Sequence, residues 1–160
     1  MITSKIMKDA QEGVVKKVDR DLVVGYAYCK TDKTVALFEM PENHPSGATI
    51  NSFGGRIEED ETPEEAIIRE CKEEVGYTVN SKNVHLVAKG HVNTEFFGSV
   101  KLYVAIIYIN KRKPAMNKGE WCKKPKWYYL DKIPWEKLPP NSDVFLKSVF
   151  RRVLNDNHML

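Results

Sequence analysis

The chain has 160 residues, 42% hydrophobic and 29% charged, the makeup of one globular domain, which sets aside disordered and collagen-like chains. Its longest apolar run, Leu102 to Ile109, spans eight residues against the about 20 of a membrane helix, and the opening residues carry no apolar leader segment. Three scattered cysteines, Cys29, Cys71 and Cys122, argue against a disulfide framework or zinc site and predict a reducing, cytoplasmic setting.

With no internal repeat and no long Gly/Ser or Pro linker, 1–160 reads as one domain, with the polar residues 1–20 as either a peripheral arm or an edge element. Leu22–Cys29, rich in β-branched and aromatic residues, predicts a strand, Lys30–Lys33 a turn, and Thr34–Glu39 its hairpin partner. Two prolines, an Asn and a Gly make 41–48 a surface loop. Strands are expected at Asn83–Val92, at Ser99–Asn110 (nearly all apolar, hence central) and at Trp127–Leu130, after a basic loop at 111–126. A last helix should run from Asp143 to Leu154, with Ser142 as N-cap behind Pro139-Pro140. Strands flanking two helices without regular βαβ alternation predict an α/β (α+β) fold with a mixed sheet between helices.

The net charge of +3 conceals an uneven distribution. Residues 58–74 hold nine acids and two bases, leaving 13 acids against 23 bases elsewhere from totals of 22 and 25. An acidic island in a basic chain suits a divalent cation bound together with a polyanion; a solvated helix face would have the same composition. Spacing separates the two.

Thr62-Pro63-Glu64-Glu65 starts a helix with a capping residue, a first-turn proline and a Glu placed to complete a capping box, and Gly76 stops it. At about 100° per residue Ile67, Ile68, Cys71 and Val75 share one stripe, and Glu70, Glu73 and Glu74 a second. Three like charges at that spacing repel by a few tenths of a kcal/mol per pair, roughly, in an isolated helix. A bound hard cation turns that repulsion into coordination. Upstream, Ser52-Phe53-Gly54-Gly55-Arg56 offers two adjacent glycines, which permit close backbone approach to a ligand or simply turn the chain.

From Gly55 the sequence runs through five residues to Glu61, seven more, then Arg69-Glu70-Cys71-Lys72-Glu73-Glu74-Val75-Gly76-Tyr77. This resembles the Nudix box, G-x5-E-x7-R-E-U-x-E-E-x-G-U, at every fixed position. The resemblance implies an α/β/α sandwich and hydrolysis of a diphosphate linked to a nucleoside or another group, with Mg²⁺ or Mn²⁺ as cofactor. It implies metal ligation by Glu73, Glu74 and the Gly54 carbonyl, and Glu70 as ligand or water-orienting group. Arg69 would hold Glu73, and Glu61 would buttress the loop. Glu120 is the candidate for a further acid from a distant loop, with Glu95 as second choice.

The stretches Ile50–Arg56, Leu138–Asn141 and Trp127–Pro134 resemble the MutT-type branch, which acts on nucleoside triphosphates including oxidised purine ones. That resemblance implies substrate binding by Asn51, Phe53, Arg56 and Asn141; the amides of Asn51 and Asn141 would present both donor and acceptor to a purine edge. A nucleotide substrate is the expected partner. No helix shows a continuous basic stripe, so stable nucleic-acid binding is not expected, nor is a membrane. Two other readings stand beside this one. One is a Nudix pyrophosphatase for ADP-ribose, a dinucleoside polyphosphate, a nucleotide sugar or a capped RNA end; the other is a binding module without catalysis, against which the intact Glu70, Glu73 and Glu74 speak.

Overall fold

The computed structural model describes residues 21–40, 49–94, 98–111, 125–140 and 142–158. In chain order the elements are β1 (Leu22–Cys29), β2 (Thr34–Glu39), β3 (Ile50–Asn51), β4 (Phe53–Arg56), α1 (Pro63–Glu70, continued by a π-helical turn at Cys71–Val75), β5 (Val84–Thr94), β6 (Gly98–Ile109), β7 (Pro125–Tyr129) and α2 (Ser142–His158). They form a seven-stranded mixed sheet with the path β3-β2-β1-β6-β5, in which β4 pairs with β1 and β7 with β2. The β1–β6 ladder is parallel and runs the whole length of β1; the other ladders are antiparallel.

Because β6 takes one edge of β1 entirely, β2 and β4 share the other. The β1–β2 ladder covers only Tyr28↔Val35 and Cys29↔Thr34, after which the two strands part. The short run Ile50–Arg56 fills the fork, β3 against Phe38 and Glu39 of β2 and β4 against residues 22–25 of β1. The Gly-Gly segment therefore lies within the sheet as extended chain. Sequence favoured a turn or a bare ligand loop there because a two-residue strand followed by Phe-Gly-Gly-Arg carries almost no β-propensity; the fork supplies the hydrogen bonds that propensity does not.

Strand alternation divides the core cleanly. Leu22, Val24, Tyr26, Tyr28, Val35 and Leu37 face α2, where Leu146, Val149 and Val153 meet them. Val23, Ala27, Cys29, Ala36 and Phe38 face α1 and its Ala66, Ile67, Cys71 and Val75. Gly25 lies on the α1 side, where a Cβ would come within 2.6 Å of Ile67 Cγ1 and 2.9 Å of Phe53, so glycine lets the helix approach the strand. Full burial of a side chain such as Ile67 is worth about 1.5–3 kcal/mol.

The predicted strands at Leu22–Cys29 and Thr34–Glu39 form with those bounds, and the two later ones lie within a residue or two of β5 and β6. Three details differ. Leu130 opens a short 3₁₀ turn (Leu130–Lys132) instead of ending β7. The last helix extends to His158, and it begins at Ser142, whose hydroxyl donates to the Pro139 carbonyl at 2.7 Å. The middle helix is not α-helical throughout, since it continues from Cys71 to Val75 as a wider π-helical turn. The buried stripe survives, with Ile67, Cys71 and Val75 buried and Ile68 half-buried, and Gly76 closes the helix at φ +79°. Among the described residues no helix is long and apolar enough to cross a membrane.

Candidate active site

The helix that carries the acids starts rigidly. Thr62 Oγ1 accepts from the Glu65 N–H at 3.1 Å while Glu65 Oε2 accepts from the Thr62 N–H at 2.9 Å, a complete capping box with Pro63 in the first turn. Two turns on, Arg69 leaves α1 toward the end of β4. Its Nε and one terminal nitrogen grip both oxygens of Glu61 at 2.8 and 2.9 Å, and the same terminal nitrogen donates to the Arg56 carbonyl at 2.9 Å. The other terminal nitrogen donates to Glu70 Oε1 at 2.7 Å and to Glu73 Oε2 at 3.3 Å. Glu61 is itself fixed by the Glu58 N–H at 3.0 Å.

One guanidinium thus joins the loop, the end of β4 and two glutamates of the helix. Its side chain is 23% exposed, and charge-assisted bonds in such partial burial are stronger than in open water. The Arg69 bond holds the Glu61 carboxyl below the ordinary carboxylate range, and Glu61 and Glu70 push the Arg69 pKa upward. Glu70 goes the other way. Burial of its carboxyl, 11% exposed, raises its pKa, with Glu73 adding to the rise and Arg69 only partly offsetting it.

Glu70 is buried because its carboxylate lies on Gly55 of β4. A Cβ at Gly55 would come within 2.7 Å of the Glu70 Cδ, so this glycine forms a cradle that any side chain would fill. Gly54, opposite Val24, is the neighbouring β4 residue. Glu73 projects outward, its side chain 60% exposed. Glu74 is half-buried and its Oε2 is wholly buried.

Among the described residues no three acids, histidines or cysteines already converge in metal-holding geometry. The donor chemistry nevertheless fits a hard divalent cation: three carboxylates within five residues, all oxygen donors, beside a glycine pair that admits close approach. Glu70 and Glu73 are brought together by Arg69.

The substrate candidates have separate fates. Asn51 is buried at the end of β3, its Oδ1 accepting from the Ser52 N–H at 2.8 Å. Phe53 is fully buried on the α1 side, edge-to-face with Phe38 at 6.1 Å between centroids. Arg56 offers its carbonyl to Arg69. Glu95, Glu120 and Asn141 lie outside the described residues. Three features had escaped the sequence: the grip of Arg69 on Glu61, eight residues away and ahead of the helix; the seat of Glu70 on Gly55; and the bonds of Ser52. Helical periodicity links no residue to a partner outside the helix.

A helix on each face of a mixed sheet, with its glutamates presented to a glycine pair in the sheet fork, is the architecture of a Nudix hydrolase. The chain belongs to the NUDIX domain family, whose family model matches residues 19–150. It is 31% identical over 102 residues to the mouse oxidized purine nucleoside triphosphate hydrolase, covering 64% of this chain and 63% of the relative. To the enzyme of that name from Danio rerio it is 32% identical over 88 residues, 55% of this chain and 54% of the relative. The matches thus span less than two thirds of either relative. Among solved structures it resembles the NUDIX domain of Shewanella oneidensis NrtR complexed with ADP ribose (TM-score 0.68, 16% identity, 96% of this chain and 99% of that one). It also resembles a MutT/nudix family protein from Enterococcus faecalis (TM-score 0.66, 16% identity, 97% and 70%).

Proposed function

We propose that this protein hydrolyses nucleoside triphosphates, oxidised purine (d)NTPs among them, to the monophosphate and pyrophosphate, with Mg²⁺ or Mn²⁺ as cofactor. The observation that carries the reading is the seat of Glu70 on Gly55, with Arg69 tying it to Glu73 beside Gly54. The mouse and Danio rerio relatives, both oxidized purine nucleoside triphosphate hydrolases by name, suggest the substrate class.

A bound divalent cation neutralises the diphosphate oxygens and lowers the pKa of a bound water. Glu73, Glu74 and the Gly54 carbonyl are the oxygens that would hold it, with Glu70 as a further ligand and Glu120 as the acid completing the set. Arg69 occupies Oε1 of Glu70, which leaves Oε2 to orient the attacking water. The water oxygen bonds to phosphorus, its proton passes to a carboxylate, and the broken P–O bond leaves its electron pair on the departing pyrophosphate. Bidentate anchoring on Glu61 keeps Arg69 from following the charge of the substrate, so the carboxylates stay in place as the phosphates enter. Asn51 and Asn141 are assigned to the base and Arg56 to the phosphates, with Phe53 backing Asn51 from the core.

A second reading, a diphosphate-linked substrate, has its own support in the ADP ribose bound by the Shewanella oneidensis domain. One nucleotide panel with Mg²⁺ separates them. Monophosphate and pyrophosphate from a purine triphosphate are expected. AMP and ribose 5-phosphate from ADP-ribose, with triphosphates untouched, would move the assignment to the second reading.

A further inference from the structure

At Ser52 the chain changes partner inside the sheet. Asn51 pairs with Phe38 of β2 and Phe53 with Gly25 of β1, so the residue between them lies in neither ladder and its polar groups need other partners. Two bonds supply partners for its N–H and its hydroxyl. The Ser52 N–H donates to Asn51 Oδ1 at 2.8 Å, and the Ser52 hydroxyl donates to the Gly25 carbonyl. Ser52 is 1% exposed, so water does not share in either bond.

The acceptor strand is itself braced. Gly25 sits so close to Ile67 of α1 that no side chain fits between them, and Ile67 is three residues ahead of Glu70. Two and three residues beyond Ser52 come Gly54 and Gly55, which have no side chains of their own to fix their height in the fork. The carboxylate of Glu70 rests on the second of them. A buried hydroxyl at the corner therefore ties the glycine pair, through Gly25, to the helix that carries the acids.

We infer that Ser52 is a positioning residue. Its hydroxyl bond to Gly25 sets the glycine pair against the Glu70 carboxylate and so fixes the spacing of the oxygen donors around the cation. This rests on the metal-dependent reading above. Loss of the hydroxyl lets the corner drift while leaving the acids themselves intact.

The test measures Mn²⁺ binding through the electron paramagnetic resonance of the free ion, together with kcat and nucleotide KM. Ser52→Ala is expected to weaken Mn²⁺ by about 10-fold, the effect of losing an outer support of a metal site, and to lower kcat with KM unchanged. Ser52→Cys, with a weaker donor of nearly the same size, should lose part of that affinity, and it serves if the alanine variant does not fold. Val149→Ala empties the core on the opposite face of the sheet and should lose stability while keeping wild-type Mn²⁺ affinity. Wild-type affinity in both Ser52 variants overturns the inference, as does a Val149→Ala loss equal to that of Ser52→Ala, since Ser52 would then act only through general stability. A wild-type chain that takes up no Mn²⁺ overturns the metal reading and this inference with it.

Discussion

Arg69 grips Glu61 through two parallel bonds of 2.8 and 2.9 Å, while its bond to Glu73, one helical turn away, is longer, at 3.3 Å. The sequence pairing at i, i+4 is therefore the weak arm of the arginine, and the pairing across the loop is the strong one. Glu61 does more than buttress the loop: it orients the guanidinium that reaches Glu70. Glu61→Gln keeps the shape but removes the charge that makes the fork bidentate and strong. Turnover should fall by about 10-fold, the usual cost of losing an outer partner, with the circular dichroism spectrum retained. Full turnover at saturating Mg²⁺ would show that Arg69 is held well enough by the Arg56 carbonyl alone.

Gly55→Ala tests the cradle directly. The added Cβ would meet the Glu70 carboxylate at 2.7 Å from Cδ, and that carboxylate is pinned from behind by Arg69, so helix and strand must separate or Glu70 must swing out. A displacement near 1 Å at a reacting centre costs about 100-fold in rate, and that loss in kcat is expected from a variant that remains folded. An active Gly55→Ala enzyme would mean that Glu70 does not work from its buried seat.

How far sequence reached this site follows from which interactions are local. The capping box, the apolar stripe and the Gly76 stop all lie within one helix, and each was legible from spacing. The strands β1 and β2 declared themselves through β-branched and aromatic runs buried on both faces. The fork that receives Ile50–Arg56 was not legible, because it arises from β1 and β2 parting after two paired residues, a property of the sheet as a whole. The π-helical turn at Cys71–Val75 was also hidden: residue types fix the helix, not its local winding. It matters for the site, since Glu73 and Glu74 both lie on that widened turn.

Glu73→Gln separates metal binding from folding. The side chain is 60% exposed and holds Arg69 only at 3.3 Å, so losing its charge leaves the fold nearly untouched; surface substitutions of this kind usually stay within about 0.5 kcal/mol. The same change removes one anionic ligand. Most turnover should disappear, with the thermal midpoint close to wild type and the Mg²⁺ requirement shifted upward. Near wild-type rates at saturating Mg²⁺ would take Glu73 out of the ligand set.

Far from the acids, α2 is latched to the sheet by Asp156, which accepts from the Tyr108 hydroxyl and from Arg152 Nε at 3.1 Å; Arg152 in turn lies 3.3 Å from His85 Nδ1. Burial lowers the His85 pKa from its ordinary 6.5, with Arg152 and Lys30 adding to the drop and Asp156 opposing it. Burial pushes Asp156 up, but Tyr108 and Arg152 outweigh it and leave the carboxyl below its ordinary 3.8. Both shifts act in one direction. As pH falls through 6.5 the unfolded chain protonates this histidine before the folded one does, and below 3.8 the same holds for the aspartate, so the unfolded state binds more protons and stability falls. The alkaline side is limited by Tyr26 and Tyr108, whose pKa values burial raises above the ordinary 10, so stability is also lost as pH rises past that value and the unfolded tyrosines ionise first. The urea midpoint should therefore decline between pH 7 and pH 5, and His85→Gln, which cannot take up the proton, should flatten that decline without changing the fall at lower pH. An unchanged slope in the variant would assign the acid sensitivity to groups other than this latch.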